Sequence, residues 1–393
     1  MAPPATGLPH SRMEPGDMIV TGIRLRNFRN HTDSTLDFGE GINALLGDNG
    51  EGKTNVLEAV SYLSLTKSFY AATDATVLQI GKEAFNLEGR ILSSSGLSNV
   101  VRVVYSRMPA EKSYEVNGSR PERLSSVIGR FPIVILSPEN SAITFGGPAE
   151  RRRFVDLILS QVSPAYLEAL LEYRRVLKQR NRVLSDARAR GAGIAGLIEP
   201  WDVSLVRHGS LIVERRRAFV EEFAMYVSRS YHDLVEVGER PEIAYVSTCL
   251  PTEAASREEI ERYMNVRLEE RRGEEMRRGL TLVGPHRDEL GLAINGIPVH
   301  QYASQGQHKT FLVALKVAEF HFVRERSGER PIFLLDDMFS ELDSRRSSRI
   351  LALASGLGQT VITTTDERSF RNAVLWSGQN RRYLVERGTC RPV

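Results

Sequence analysis

The 393-residue chain is poor in several residue types that would place it elsewhere. It has two cysteines, Cys249 and Cys390. Two thiols so far apart match no metal-ligand spacing and do not indicate a disulfide scaffold. No run of about eighteen apolar residues occurs, so the sequence encodes no membrane-spanning helix. Residues 1–17 are rich in proline, glycine and small side chains but lack an apolar h-region, which argues against a signal peptide. They read as a disordered leader or an over-extended start, with Met13 and Met18 as further start positions and Met18 the natural one. These absences point to a cytoplasmic chain. Lysine is scarce as well, seven of the 52 basic residues. Arginine is the better phosphate fork, but a GC-rich genome gives the same bias. A net charge of +3 is only a mild lean toward anionic partners. No aromatics are spaced for stacking single-stranded bases, so any nucleic-acid contact is expected to be backbone-directed and independent of sequence.

What is present is concentrated in short motifs. Gly47-Asp48-Asn49-Gly50-Glu51-Gly52-Lys53-Thr54 fits G-x-x-x-x-G-K-[ST], the loop that wraps nucleotide phosphates. An apolar run, Ile42 to Leu46, leads in as a short buried strand, and Asn55 to Val60 leads out with helical spacing. Glycines let successive N–H groups turn inward, and a helix N-terminus adds partial positive charge. In this pattern Lys53 reaches the β- and γ-phosphates of ATP and the Thr54 hydroxyl binds Mg²⁺.

Far downstream, Pro331 to Asp337 reads as a buried strand of a parallel sheet ending in two carboxylates. Ligands sit at the carboxyl ends of such strands, so Asp336 is assigned to the metal and Asp337 to the attacking water. Ser304-Gln305-Gly306-Gln307 precedes a helical stretch, Phe311 to Phe320, with Ser304 as an N-cap or pre-helix residue and Gly306 allowing close backbone approach to a ligand. Thr360 to Asp366 is a further core strand ending in polar residues.

The pieces of this site lie about 280 residues apart, so something is inserted between them. We divide the chain into a leader (1–17), a strand-rich amino-terminal part with the phosphate loop (18–147), an inserted, mainly helical lobe (148–279) and a carboxy-terminal part (280–393). Strands are expected at Val100–Tyr105 and Phe131–Leu136, and again from Leu280–Val283. Pro148 suits a helix N1 position with Glu150 complementing the helix start. Apolar residues then recur at helical spacing from Leu157 to Leu184 until Gly191-Ala192-Gly193. Further helices are expected over Trp201–Leu234 and Ser256–Arg278.

In order and spacing these motifs resemble the ABC-type and SMC-like ATPases: phosphate loop, signature loop at Ser304 to Gln307, acidic strand, D-loop at Ser340-Glu341-Leu342-Asp343 and switch strand. Ile23 to His31 resembles the opening of SMC-like heads. Together with Ser137-Pro138-Glu139-Asn140, Glu150 to Asp156 and Gly284-Pro285-His286-Arg287-Asp288, the pattern over residues 18 to 390 resembles the RecF family of bacterial recombination mediators.

The resemblance implies an α/β P-loop head with a helical lobe too short for the long SMC coiled coil. It implies that Ser304, Gly306 and Gln307 contact the γ-phosphate held on Lys53 of a second copy, so that ATP closes a homodimer and hydrolysis opens it. It implies an ATP-gated clamp on duplex DNA at single-strand gap junctions, working in repair, replication and the damage response with mediator proteins and recombinase, and a weak DNA-stimulated ATPase. Arg29 and Phe28 would lie near the adenine or phosphates, or on an ordinary surface loop. Lys67, Arg151-Arg152-Arg153 and Arg174-Arg175 are candidate phosphate contacts or solvated helix faces, and His286 and Arg287 either touch DNA or brace a strand start. Two departures point to slow turnover: no glutamine lies between Gln79 and Gln161, where a transporter-type Q-loop belongs, and Thr365-Asp366 ends the switch strand without histidine. The alternatives are an SMC-like chromosome-organisation ATPase, disfavoured by the short insertion, a transporter-type subunit, disfavoured by the missing glutamine and histidine, and a nuclease, for which no separate metal cluster exists.

Overall fold

The structure, a computed structural model, describes residues 17–190, 195–235, 238–252, 255–338, 344–365, 370, 374, 376 and 378–393. Its centre is a six-stranded sheet in the order β14 (Thr389–Pro392), β13 (Arg381–Glu386), β3 (Ile42–Leu46), β12 (Thr360–Thr364), β11 (Ile332–Asp336) and β7 (Ile133–Leu136). All neighbours run parallel except the edge pair β13–β14. The short apolar runs without polar alternation have this meaning: β3, β7, β11 and β12 are buried on both faces. Alternate residues enter different cores. Phe333 and Leu335 face the helices, whereas Ile332 and Leu334 face the opposite layer.

That opposite layer is a five-stranded antiparallel sheet, ordered β2 (His31–Asp37), β1 (Ile19–Phe28), β4 (Ala84–Leu92), β5 (Ser98–Ser106) and β6 (Glu111–Val116). Helix α1 (Lys53–Leu65) lies between the two sheets, which explains why it is apolar on nearly every side. Asp17, assigned above to the leader, pairs with Arg330 at 3.0 Å.

The other face of the central sheet is covered by α8 (Gln305–Ser327), α3 (Pro148–Val162) and α5 (Ala195–Leu234) in one continuous core, with α4 (Pro164–Arg190) and α6 (Arg257–Arg278) farther out and short α2 (Ala142–Phe145), α7 (Val299–Tyr302) and α9 (Ser344–Gly356) at the sides. The helical spacing from Leu157 to Leu184 is divided at Ser163, with Pro164 opening the second helix. The second long helix begins at Ala195, earlier than Trp201, and runs through Pro200. The third starts where Ser256 caps it, in a capping box with Glu259.

Two details differ from the sequence reading. The stretch 148–279 also contains a strand, β8 (Pro241–Val246), which pairs with β9 (Glu289–Ile294); β9 in turn pairs with β10 (Ile297–Pro298). Leu280–Val283 is not a strand. Side chains satisfy its backbone instead: Thr281 N donates to Asn181 Oδ1 at 2.7 Å and Leu282 N to Glu275 Oε1 at 2.7 Å. The expected D-loop residues 340–343, Gly191 to Gly193 and Asp366 lie outside the described residues.

Candidate nucleotide-binding site

The loop from Gly47 to Thr54 joins β3 to α1 at the carboxyl edge of the parallel strands. Gly52 is the N-cap of α1, at φ +111°. A Cβ there would lie 2.5 Å from Asn30 Oδ1 and 2.8 Å from His31 Nε2, so only glycine fits. Gly47, at φ +148°, is pressed against the Val385 carbonyl, 2.3 Å from where a Cβ would stand. Asp48, Asn49, Gly50 and Glu51 form the turn between them. Lys53 is 6% exposed and donates from Nζ to Gly47 O at 2.7 Å and Asp48 O at 2.8 Å. Burial pulls its pKa down, while Asp337 and Asp336 pull it back.

The two distant halves of the sequence pattern meet here. Thr54 Oγ1 donates to Asp336 Oδ1 at 2.8 Å, across 282 positions of chain. Thr363 Oγ1, on β12 between the loop strand and the acidic strand, donates to the same oxygen at 2.6 Å. Burial raises the Asp336 pKa, opposed by these two hydroxyls. Asp337 follows at φ +43°, a left-handed conformation that redirects the chain at the strand end, and its N–H donates to Thr363 Oγ1 at 2.9 Å. A threonine hydroxyl and a buried carboxylate held together are hard oxygen donors suited to Mg²⁺, which usually takes one or two carboxylates and completes its shell with phosphate and water.

Further residues hold this site, some of them inside the motifs quoted above but with no role assigned there. Asn30 Nδ2 donates to Glu51 O at 2.9 Å and Asn55 Nδ2 donates to Asn30 Oδ1 at 2.8 Å, so one side chain ties the loop to α1. His31 Nε2 donates to Gly52 O at 3.0 Å, and burial lowers its pKa. From the far end of the chain, Gly388 N donates to Glu51 O at 2.9 Å and Arg387 N to the Glu51 carboxylate. Glu139 follows β7, the neighbour of the acidic strand, and its charge acts on Asp336. It stands where the sequence lacks a Q-loop glutamine. Its motif, Ser137-Pro138-Glu139-Asn140, stood out in the sequence, and its placement beside β11 comes from the pairing of β7 with that strand.

Arg29 sits at φ +55° beside α1, with its fork on Glu58 (both N–H···O contacts 2.9 Å) and Nη1 on Thr76 O at 3.1 Å. Its guanidinium is thus engaged with α1 and the Thr76 turn. Phe28 is fully buried, not on a surface loop. Ser304 caps α8, its Oγ accepting from Gln307 N at 3.2 Å while Gln307 Oε1 accepts from Ser304 N at 2.8 Å. Gln307 also donates to Glu239 Oε1 at 2.9 Å, and Gly306 lies in the first helical turn. Among the described residues no hydrogen bond or ion pair joins Ser304–Gln307 to the phosphate loop. Instead they present an exposed helix N-terminus.

The basic candidates divide. Arg151 is 5% exposed and grips Glu289 through both nitrogens at 2.7 and 2.9 Å, tying α3 to β9. Arg152 donates to Asp288 O, and Arg175 pairs with Glu172 on its own helix. His286 and Arg287 both donate to Thr281 O, bracing the turn before β9. Arg153 and Lys67 remain exposed.

The comparisons with known proteins agree on a family. The model of the RecF/RecN/SMC N terminal domain matches residues 19–386. The chain is 43% identical over 357 residues to the DNA replication and repair protein RecF of Chloroherpeton thalassium, covering 90% of this chain and 96% of that one. It is 42% identical over 361 residues to that of Salinibacter ruber, covering 91% and 87%. Among solved structures, the recombination mediator protein RecF-ATP of the RecFOR pathway superposes with a TM-score of 0.88 at 30% identity over 98% of this chain and all of that one. An Smc head bound to the C-winged helix domain of ScpA matches at 0.54 and 15% identity, a likeness of fold alone. The phosphate loop, the acidic strand and the sheet order therefore belong to a P-loop head of the ABC/SMC type, and the chain belongs to the RecF family of DNA replication and repair proteins.

Proposed function

We propose that the protein is an ATP-gated DNA clamp with slow turnover. ATP lies on Gly47 to Thr54, with the loop N–H groups and the α1 N-terminus facing its phosphates and Lys53 turned to the β/γ region. Thr54 and Asp336 hold Mg²⁺, which supplies charge neutralisation on the phosphates. Asp337 orients the attacking water and accepts its proton. Glu139 adds a carboxylate to this edge where transporter-type relatives carry glutamine. The observation that carries the reading is the Thr54–Asp336–Thr363 hydrogen-bonded group, formed beside Lys53 by residues from three separate parts of the chain.

The exposed N-terminus of α8 supports a dimer. Ser304, Gly306 and Gln307 offer helix N–H groups and partial positive charge to a γ-phosphate bound on a second copy. Contact lasts only while the γ-phosphate is present, so hydrolysis shifts the population toward the open form. The dimer holds duplex DNA at gap junctions through backbone contacts and helps mediator proteins load recombinase.

Sedimentation and duplex binding with ATP, ADP and no nucleotide test this. The native protein is expected to dimerise and bind DNA tightly with ATP only. Lys53→Arg keeps some ATP-bound dimer without turnover. Ser304→Arg binds ATP yet stays monomeric, while Ser304→Ala, which removes only the cap at a cost of about 1 kcal/mol, still dimerises. Equal DNA binding by all four proteins with or without ATP rejects the clamp.

A further inference from the structure

Between the head and the helical lobe lies a cleft of ≈ 700 Å³, the size that takes a few side chains and too small for a duplex. The loop after α1, the turns at Leu124–Ile128 and Ser137–Asn140, and helices α3 and α4 form its walls. Its floor is apolar and mostly aliphatic: Leu157, Leu167 and Leu177 line it beside Phe69, and Leu124 and Leu171 are 38% and 45% exposed within it. Its rim is cationic. Lys67, Arg153 and Arg174 reach it from the loop, α3 and α4. Arg174 reaches Asp156 at 3.0 Å, but that carboxylate is already held by Arg216 at 2.8 Å. Among the described residues Lys67 and Arg153 make no ion pair. Glu139 and Glu150 also line the cleft, and neither is bonded to those two cations. Besides burial, the groups that depress the Lys67 pKa are all cations, Arg153, Arg174 and Lys112. Lys112 is neutralised by Asp74 at 2.8 Å, so the excess charge rests on the rim.

We propose that this cleft docks a short acidic segment of a protein partner, its carboxylates on Lys67 and Arg153 and its apolar side chains on the leucine floor. An apolar patch with a charged rim is the usual mark of a protein contact. A single nucleic-acid strand is the less suitable occupant, because its bases stack on flat exposed rings, and of the rings lining the cleft Phe154 and Tyr173 are buried and Phe69 and His286 only partly exposed, against the five leucines of the floor. The surface is separate from the α8 N-terminus, and the proposal depends neither on the dimer nor on ATP. One end of the cleft adjoins the turn carrying Glu139, so an occupant sits next to the carboxylates of the nucleotide site.

The test is selection of random linear heptapeptides displayed on phage against the full-length protein, followed by fluorescence anisotropy of the enriched peptide and of a 12-residue oligo-dT. The expected winners combine Asp or Glu with Leu, Ile or Phe. Lys67→Glu with Arg153→Glu is expected to weaken the peptide at least tenfold, and so is Leu171→Asp, with thermal unfolding unchanged because all three side chains are exposed. The proposal is overturned by selection without acidic and apolar enrichment, or by peptide affinity unchanged in either variant. It is equally overturned if oligo-dT alone binds and only the charge reversals abolish it, which assigns the cleft to a nucleic-acid strand.

Discussion

The phosphate-loop edge of the central sheet and the long helices α4, α5 and α6 are built in opposite ways. At the loop, chemistry comes from consecutive residues. Gly47 to Thr54 need only their own spacing, a strand before and a helix after, and the ties from Asn30, His31 and Gly388 are neutral hydrogen bonds of about 3 Å to backbone or amide groups. In the lobe, order comes from buried charges far apart in sequence. Arg180 on α4, fully buried, donates to Asp202 on α5 at 2.6 Å, Glu275 on α6 at 2.6 Å and Thr281 Oγ1 at 2.9 Å. Arg216 on α5 joins Asp156 of α3, Pro285 O and Asp288. A functional loop can be specified locally, whereas the way these helices lie on one another is fixed by pairs that no local pattern encodes.

The comparison is most sharply broken at Arg180. Arg180→Met leaves Glu275 buried without its cation and Asp202 with Arg272 alone, and a loss of about 3–5 kcal/mol in urea unfolding is expected. The ATPase rate per folded molecule should change little. The converse holds at the loop: Lys53→Ala is expected to reduce hydrolysis about 10²–10³-fold with the melting temperature nearly unchanged, and a large drop in stability would show that the loop, too, depends on buried charge. His286 offers a graded perturbation of the lobe side. Its ring is neutral, accepting from Tyr173 OH at Nδ1 and donating from Nε2 to Thr281 O, and burial lowers its pKa from 6.5 to about 4. Between those values the unfolded chain binds the extra proton. Stability is therefore full above pH 6.5 and falls as the pH drops toward 4, by about 3 kcal/mol from this residue. Denaturation between pH 4 and 7 should show a shallower slope in His286→Gln, and an equal slope would remove His286 as the source. The smallest effect belongs to Asn30→Ala, about 1 kcal/mol of stability, with a raised KM for ATP and no change in lobe stability.

Legibility followed the same division. The phosphate loop, the buried strand ending in Asp336 and the helix after Ser304 were readable because each depends on periodicity or turn chemistry within ten residues or so. Leu280–Val283 misled because leucine and valine around a single threonine look like a strand wherever their backbone partners come from. Here Asn181 and Glu275 supply those partners and no ladder forms. Arg151 looked like a surface cation in a basic run, and its burial against Glu289 became visible only when α3 was packed on β9. That Arg29 forks onto Glu58, 29 positions away in sequence, was equally invisible until α1 was placed beside it. Thr363 and Glu139 lie in segments that stood out, the strand from Thr360 and Ser137–Asn140, but what they do comes from β12 and β7 flanking β11.

The sequence by itself determined which chemistry to look for, because glycine freedom, a lysine and a threonine at fixed spacing, and a strand ending in carboxylates are the local ingredients of a phosphate site. It also determined most element types, since burial on two sheet faces or one helix face leaves its period in the residues. Only the tertiary structure decided which cations are exposed and which are internal braces, and that β12 lies between the loop strand and the acidic strand so that Thr363 meets Asp336. The physical reason is range: torsional preference and hydrophobic period act along the chain, while ion pairing, burial and the desolvation that shifts a pKa act through space.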